Sequence, residues 1–276
     1  MKTALLQLSS GDDPAANLAM TRALLREAAG QGAGFVLTPE VTNCVSGSRS
    51  RQNDVLQSEA EDQTLIGLQA EAQALGVWLL IGSLALKTGD PDGRFANRSF
   101  LIDPAGEIVA RYDKIHMFDV DVSATETYRE SAGFRPGDRA VVARTPFATL
   151  GLSVCYDIRF AHLYRSLAKA GAQVLTVPAA FSPVTGAAHW ETLLRGRAIE
   201  TGCYVLAPAQ CGTHPTTTDS IRRTHGHSLV VAPWGEVLAD GGTDPGITIV
   251  DLDLAEVSKA RGRIAALTHD RPFKGP

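Results

Sequence analysis

Cys155 stands where a thiol could act as a nucleophile. Residues 151–160 read GLSVCYDIRF, and the apolar residues at 150, 152 and 154 predict a short buried strand ending at Cys155. Apolar residues then recur at helical spacing as far as Gly171, a typical helix-ending residue. A thiol on such a strand-to-helix turn lies near backbone N–H groups and the helix dipole, which favour a thiolate and can hold an oxyanion. The commoner role of a lone cysteine is structural burial.

Glu40 is the residue that suggests a base for this thiol. It follows the strand-like residues 35–38 and Pro39 directly. A free thiol, with a pKa of about 8.5, is mostly protonated at neutral pH, so a nucleophilic cysteine needs a base. None of the seven histidines follows a predicted strand as directly. In a closed site we expect burial to raise the pKa of the carboxyl towards neutrality, which suits a general base; the alternative is a solvated loop charge.

Lys114 is the third residue of this set, and it follows the strand-like residues 108–112. By itself it is typical of a surface charge at the end of a strand. Beside a carboxylate and a nucleophile, a lysine is a compact cation that stabilises a developing oxyanion. The three side chains together therefore indicate nucleophilic attack on a carbonyl-like carbon.

The elements that must position these groups fall into two similar α/β halves. Each half begins with a strand and a helix, and each contains a strand ending in Val-Leu-Thr close to a proline, at residues 36–39 and 174–178. Hairpins are predicted at 99–112 and 228–239, a long loop at 117–140, and a last strand at 247–252 before a closing helix. Two halves packed sheet to sheet, with helices outside, fit this order, and we expect a single α/β domain over residues 1–276.

Composition restricts the classes of function. The chain has 276 residues, 44% of them hydrophobic and 20% charged, which is ordinary globular composition. No stretch approaches the roughly 20 apolar residues of a membrane span, and the N-terminus lacks signal-peptide features. The formal charge is −4 and the basic residues are scattered, so the sequence shows no basic patch of the kind that binds nucleic acid. The four cysteines show no metal-ligand spacing, so we expect reduced thiols in the cytoplasm.

Three motifs in this order resemble the Glu-Lys-Cys signatures of the nitrilase superfamily, the carbon–nitrogen hydrolases. They are TPE at 38–40, YDKIH at 112–116 and GLSVCYDIRF at 151–160. Residues 114–122, 185–191 and 208–212 are similar to the Nit branch, which includes the omega-amidases and deaminated glutathione amidases. The resemblance spans nearly the whole chain, and it implies a four-layer αββα sandwich.

The resemblance also implies roles for individual residues. Glu40 would be the general base, Lys114 the oxyanion stabiliser and Cys155 the nucleophile. The second active-site glutamate of the family falls on Glu130, where it would pair with Lys114 and keep it protonated. The backbone N–H of Tyr156 would be the second oxyanion donor. No cofactor and no metal are implied.

The implied reaction is hydrolysis of a small carboxylated amide through a cysteine thioester, with release of ammonia or an amine. The expected substrate is the omega-amide of a 2-oxo acid, similar to deaminated glutathione. Residues 41–46 depart from the aromatic-rich segment usual in the family, which leaves a nitrilase or an N-carbamoyl amino acid amidohydrolase as alternatives. A non-catalytic binding protein on this fold is a further alternative. Family members generally associate through helical faces, so we expect a homodimer or larger homo-oligomer.

Three further features of the sequence have two interpretations each, and a fourth, Asp157, has one. Arg159 and Arg195 could each clamp a substrate carboxylate or form a structural ion pair. His225-Gly-His227 could be metal ligands, although loop residues are favoured because no second ligand pair accompanies them. Asp157 could cap the helix after Cys155.

Overall fold

The computed structural model of the protein describes residues 1–122 and 126–275. Its helices and strands in chain order are β1 (Lys2–Gln7), α1 (Pro14–Gly30), β2 (Phe35–Leu37), α2 (Arg49–Val55), α3 (Gln63–Leu75), β3 (Trp78–Lys87), β4 (Phe95–Ile102), β5 (Ile108–Asp113), β6 (Asp119–Asp121), β7 (Thr127–Arg129), β8 (Val141–Arg144), β9 (Thr149–Leu152), α4 (Ala161–Lys169), β10 (Val174–Thr176), α5 (Pro183–Thr201), β11 (Tyr204–Ala207), β12 (Cys211–Thr213), β13 (Arg223–His225), β14 (Leu229–Val231), β15 (Val237–Asp240), β16 (Gly246–Asp251) and α6 (Ala255–Arg263).

Two six-stranded sheets share one topology. The first has the order β16-β1-β2-β3-β4-β5 and the second the order β8-β9-β10-β11-β14-β15. In each sheet three consecutive strands are parallel: β1, β2 and β3 in the first, and β9, β10 and β11 in the second. An antiparallel strand lies on one side of each trio and an antiparallel pair on the other. The two halves are thus pseudo-equivalent, with β2 matching β10.

Alternation along the strands builds four layers. In β1, Leu5 points into the core cluster that also contains residues of the second sheet, whereas Ala4 and Leu6 pack in the cluster of α1 and α3. Successive strand side chains point to opposite faces, so each sheet buries one face against the other sheet and one against helices. Helices α1 and α3 contact each other on the first sheet, and α4 and α5 do so on the second. The fold is the predicted αββα sandwich.

Local signals set the ends of the main helices. The side chain of Asp13 caps α1 by accepting from Ala15 N at 3.0 Å, and Pro14 occupies the first helical position. Gly76 ends α3 in the left-handed conformation, with φ of 66°, which a glycine adopts without steric cost. Both signals are readable in the sequence itself.

The prediction was wrong or incomplete in several stretches: α2 and β8 were not predicted, and two short hairpins were missed. Residues 117–140 are not one loop, because β6 and β7 form a short hairpin there that a one-turn 3₁₀ helix follows; residues 123–125 lie outside the described residues. The hairpin of β12 and β13 was not predicted. All four strands are only three residues long, too short for a period-two pattern to distinguish them from loops.

Candidate active site

Each of the three predicted groups enters the site from the end of a different strand. Glu40 follows β2 after Thr38 and Pro39, and Lys114 follows β5 directly. Cys155 begins a 3₁₀ helix, Cys155–Arg159, just after β9. Since β2 and β5 belong to the first sheet and β9 to the second, the site lies where the two sheets face each other.

The structure brings these side chains together in a buried cluster. Lys114 Nζ donates to Glu40 Oε1 at 2.9 Å and to both carboxylate oxygens of Glu130 at 2.8 Å. Glu40, Lys114 and Cys155 have exposed fractions of only 4%, 2% and 7%. Ala180 N, beyond the end of β10, donates to Glu40 Oε2 at 2.8 Å. The charged pair of Lys114 with Glu130 has the geometry that the resemblance implied.

A glycine permits the close approach of the two half-structures at this point. A Cβ on Gly82 would lie 2.1 Å from Thr38 O and 2.5 Å from Pro178 Cβ, so any side chain there would collide with both strand ends. Thr38 and Pro178 stand at matching ends of β2 and β10. The meeting of the pseudo-equivalent strands therefore requires glycine at position 82.

The backbone of Cys155 is held in the left-handed region, with φ of 50°. A non-glycine residue pays a steric cost there, and such strain clusters at functional sites. Its N–H donates to Pro178 O at 2.9 Å, which fixes the turn against the end of β10. The first hydrogen bond of the turn runs from Asp157 N to Val154 O. The N–H of Tyr156 comes one residue before the first helical donor of this turn.

The protonation states of the three groups follow from their mutual burial. Burial and the charge of Glu40 raise the pKa of the Cys155 thiol well above its ordinary value. Burial opposes the charge of Lys114, but Glu130 and Glu40 outweigh it and raise the pKa of that ammonium. Burial likewise raises the pKa of Glu40, yet Lys114 and a hydrogen bond from Cys155 outweigh it, so the net direction is down. The resting site holds a carboxylate, an ammonium and a neutral thiol.

Two expectations about pKa are thereby corrected. The pKa of Glu40 is lowered rather than raised, because the adjacent ammonium outweighs burial. The resting form of Cys155 is the thiol rather than the thiolate, because the turn is buried beside a carboxylate. The sequence indicated burial, but the balance between burial and charge depends on distances that only the folded chain shows.

Two supporting residues were missed or misread. Asn97, on β4, donates to Glu40 Oε1 at 2.9 Å, and no sequence motif marked it. Asp157 is a fully buried acceptor rather than a simple helix cap. Its carboxylate accepts from Val154 N at 2.9 Å, from Tyr112 OH at 2.6 Å and from His116 N at 3.0 Å. It thus ties the cysteine turn to the strand that carries the lysine.

A cavity of about 300 Å³ opens beside the cluster. This size is at the lower end of the range for small-molecule sites. Its wall contains Glu40, Lys114, Glu130, Cys155 and Tyr156, together with two arginines, Arg129 and Arg222.

The two arginines proposed from the sequence are placed differently. Arg159 is not on the cavity wall itself; its guanidinium lies 5.8 Å from the ring centroid of Tyr156 and 5.7 Å from that of Phe181, and both of these residues line the cavity. Arg195 donates to Gly235 O at 2.9 Å and pairs with Glu191 on the exposed side of α5. The structure therefore does not bring Arg195 to the site, because its helix turns that side chain away.

The histidine pair and the remaining cysteines form no second chemical centre. His225 and His227 have ring centroids 4.6 Å apart, and His227 contacts Asp240. Across residues 1–122 and 126–275, no three His, Cys, Asp or Glu side chains are grouped to hold a metal ion. Cys203 and Cys211 are buried free thiols. None of the helices that the structure describes is long and apolar enough to cross a membrane.

The fold and this buried cluster define the class of protein, a member of the nitrilase superfamily. The carbon–nitrogen hydrolase family model matches residues 2–262. The chain is 39% identical over 273 residues to a deaminated glutathione amidase of Yersinia enterocolitica, covering 97% of this chain and 92% of that one. It is 35% identical to an omega-amidase of Bos taurus, covering 98% and 95%. The chain belongs to the carbon–nitrogen hydrolase family, and it is a hydrolase that acts on amides.

Solved structures agree with this assignment. The NitFhit protein of C. elegans superposes with a TM-score of 0.90 at 33% identity, over 98% of this chain and 65% of that longer chain. Nit3 of Saccharomyces cerevisiae gives 0.85 at 27% identity, over 99% and 97%. An amidase from Nesterenkonia sp. AN1, solved with acrylamide added to its active-site cysteine, gives 0.77 at 28% identity, over 96% and 98%.

Proposed function

We propose that the protein hydrolyses the omega-amide of a small 2-oxo acid, with Cys155 as nucleophile, Glu40 as general base and Lys114 as oxyanion stabiliser. The observation that carries this proposal is the burial of one thiol, one carboxylate and one ammonium around a single small cavity. The names of the relatives, deaminated glutathione amidase and omega-amidase, support the choice of substrate.

Acylation begins from the neutral thiol. Glu40 accepts the proton of Cys155 as the sulfur attacks the amide carbon, and the carbonyl oxygen becomes an oxyanion. Lys114 Nζ and the N–H of Tyr156 stabilise that oxyanion in a site largely closed to water. Glu130 and Asn97 position the lysine and the base, respectively.

Breakdown of this intermediate returns the proton. Glu40 donates it to the amide nitrogen, the C–N bond breaks, and ammonia or an amine leaves a thioester on Cys155. Glu40 then accepts a proton from water, and the water oxygen attacks the thioester carbon. Collapse releases the carboxylic acid and the thiol, so the proton taken from water returns to sulfur.

Trapping the acyl group by mass spectrometry tests the proposal. Mixing the protein with an omega-amide and quenching rapidly should add the mass of the acyl group to the peptide that contains Cys155. C155A should lose both the adduct and the activity, whereas C203A, at a buried thiol away from the cavity, should keep both. Full activity of C155A would refute the mechanism. Parallel assays with a nitrile and an N-carbamoyl amino acid separate the alternative reactions.

The pH dependence of kcat/KM, measured on the wild type and on E40D, provides a second test. Because the pKa of Glu40 lies below 4.5, the ordinary glutamate value, the base stays ionised as the pH falls to that point. Ionisation of this base should therefore produce no acid limb in the profile near neutrality. An acid limb near neutrality that shifts in E40D would instead indicate a raised pKa for this carboxyl.

The same proposal includes assembly and location. Large apolar side chains are exposed on the helical side of the second half, with Ile199 at 57%, Ile264 at 60% and Trp234 at 45% exposure. A second copy of the chain would cover them, and we expect a homodimer or larger, which sedimentation at micromolar concentration tests.

A free-thiol nucleophile suits a reducing compartment, and the cytoplasm is the proposed location.

A further inference from the structure

Charges around the cavity are unevenly distributed. At the end of the cavity that contains Cys155, two carboxylates, Glu40 and Glu130, share the single ammonium of Lys114, which leaves one net negative charge. A substrate that carries its own carboxylate is repelled by that end. It therefore needs a cation elsewhere on the cavity wall.

Of the two arginines on that wall, one is already occupied. Arg129 donates to Asp121 Oδ1 at 2.7 Å and to the carbonyls of Val120 and Tyr128. Arg222 contacts no carboxylate within ion-pair distance among the residues that the structure describes. The guanidinium of Arg222 is thus the uncompensated cation of the cavity.

The side chain of Arg222 is already oriented towards the site. Its guanidinium lies over the ring of Tyr128, 4.7 Å from the centroid, and Nη2 donates to Ala180 O at 3.3 Å. Stacking on an aromatic ring and one hydrogen bond hold the planar fork while the other N–H groups stay available for a carboxylate.

The contact with Ala180 also limits the distance to the base. Ala180 N donates to Glu40 Oε2 at 2.8 Å, so the same residue contacts both the arginine and the glutamate. With standard bond lengths, Arg222 Nη2 lies within roughly 10 Å of Glu40 Oε2, a gap that a substrate of a few carbon atoms bridges.

Hydrogen bonds hold the loop that carries Arg222 in place. Arg222 O accepts from His214 N at 2.9 Å, where the chain enters β13. The buried ring of His214 contacts Ser10 O at 2.7 Å, and Asp12 accepts from Thr217 N at 2.8 Å. Both partners belong to the segment after β1, so the loop is fixed to the first half of the molecule.

We propose that Arg222 determines specificity by binding the carboxylate of the substrate that is remote from the scissile amide. This inference rests on the proposed function, because it names the group that the amidase site selects. A guanidinium pairs with a carboxylate through two parallel hydrogen bonds, which selects diacid monoamides over uncharged amides.

A pair of substrates that differ only in this charge tests the inference. The 5-amide of 2-oxoglutarate and the methyl ester of its carboxylate would be assayed with R222Q and with R223Q. Arg223 is the adjacent, exposed residue and serves as a matched control for loss of charge. R222Q should lower kcat/KM for the acid on the order of 10- to 100-fold, mostly through KM, and leave the ester within about twofold. R223Q should leave both unchanged, and R222K should recover part of the loss.

An equal loss on the acid and on the ester in R222Q would overturn the inference. Equilibrium binding of 2-oxoglutarate, measured by calorimetry, separates it from the proposed function because it needs no turnover. If wild-type protein binds the diacid and R222Q does not, the arginine assignment holds even where no acyl adduct forms on Cys155. Equal affinity in the two proteins counts against Arg222 and leaves the catalytic proposal intact.

Discussion

At the scale of single residues, Lys114 supports two buried carboxylates. Replacing it with methionine would leave Glu40 and Glu130 facing each other without a cation. Breaking a buried ionic cluster in this way costs about 3–5 kcal/mol of stability. K114M should therefore unfold more readily at pH 7 and lose activity.

The pH dependence of the stability of K114M shows whether the variant is destabilised by the lost charge or by lost packing. Without the ammonium, burial raises the pKa of Glu40 in the folded state, and the folded protein binds a proton there. The contribution of this carboxyl is then favourable at low pH and is lost as the pH rises. The deficit of K114M in urea denaturation should be larger at pH 7 than at pH 5. K259M, which removes an exposed pair with Glu256, is the control and should show no measurable change. An equal deficit at both pH values would contradict the electrostatic explanation.

The sequence predicts which residues form the site better than it predicts their protonation states. Glu40, Lys114 and Cys155 each follow a recognisable strand, but the strands before Glu40 and Lys114 belong to one sheet and the strand before Cys155 to the other, so their meeting depends on how the sheets pack. Asn97 lies in mid-strand and acts through one amide group, which no spacing signals. Arg222 lies before a three-residue strand, so it was indistinguishable from other loop arginines.

At the scale of elements, Asp157 joins the cysteine turn to the end of β5. Each carboxylate oxygen meets two donors: Oδ1 meets the N–H and Nδ1 of His116, and Oδ2 meets Tyr112 OH and Val154 N. In D157N an NH₂ group must face one of these pairs of donors. An unsatisfied buried group costs about 1–3 kcal/mol. We expect a lower melting temperature and slower acylation of Cys155.

D103N provides a matched control. Asp103 Oδ1 accepts from Ala105 N and Glu107 N at the tip of the hairpin of β4 and β5, and the oxygen of an asparagine can do the same. D103N should melt like the wild type. If D157N has the melting temperature of D103N and its Cys155 is acylated at the same rate, Asp157 does not couple the two elements.

Elements were predictable where a strong period or a cap marked them. The N-cap of α1 and the glycine stop of α3 are chemical signals within a few residues. The hairpins of β6 with β7 and β12 with β13 instead depend on contacts with distant parts of the chain. Their residues carry no alternation, so the sequence alone cannot separate them from loops.

At the scale of the whole molecule, the site depends on the packing of two pseudo-equivalent halves. Glu40 and Lys114 come from the first half and Cys155 from the second, so any loss of sheet-to-sheet packing separates them. His214 is one link between the halves. Its Nδ1–H donates to Ser10 O after β1, and its Nε2 accepts from Thr224 on β13 at 2.8 Å.

This link makes stability depend on pH. Burial lowers the pKa of His214 from 6.5 to about 4. Above pH 6.5 neither state binds the proton; between that pH and 4 the unfolded chain binds it and the folded chain does not. The free energy of unfolding therefore falls by about 2 kcal/mol between pH 7 and pH 5 from this residue. H214Q should be less stable at pH 7 but lose about 2 kcal/mol less over the same interval. H269Q, at an exposed histidine, should follow the wild type. Urea midpoints at the two pH values measure this difference, and parallel losses in H214Q and wild type would exclude His214 as its source.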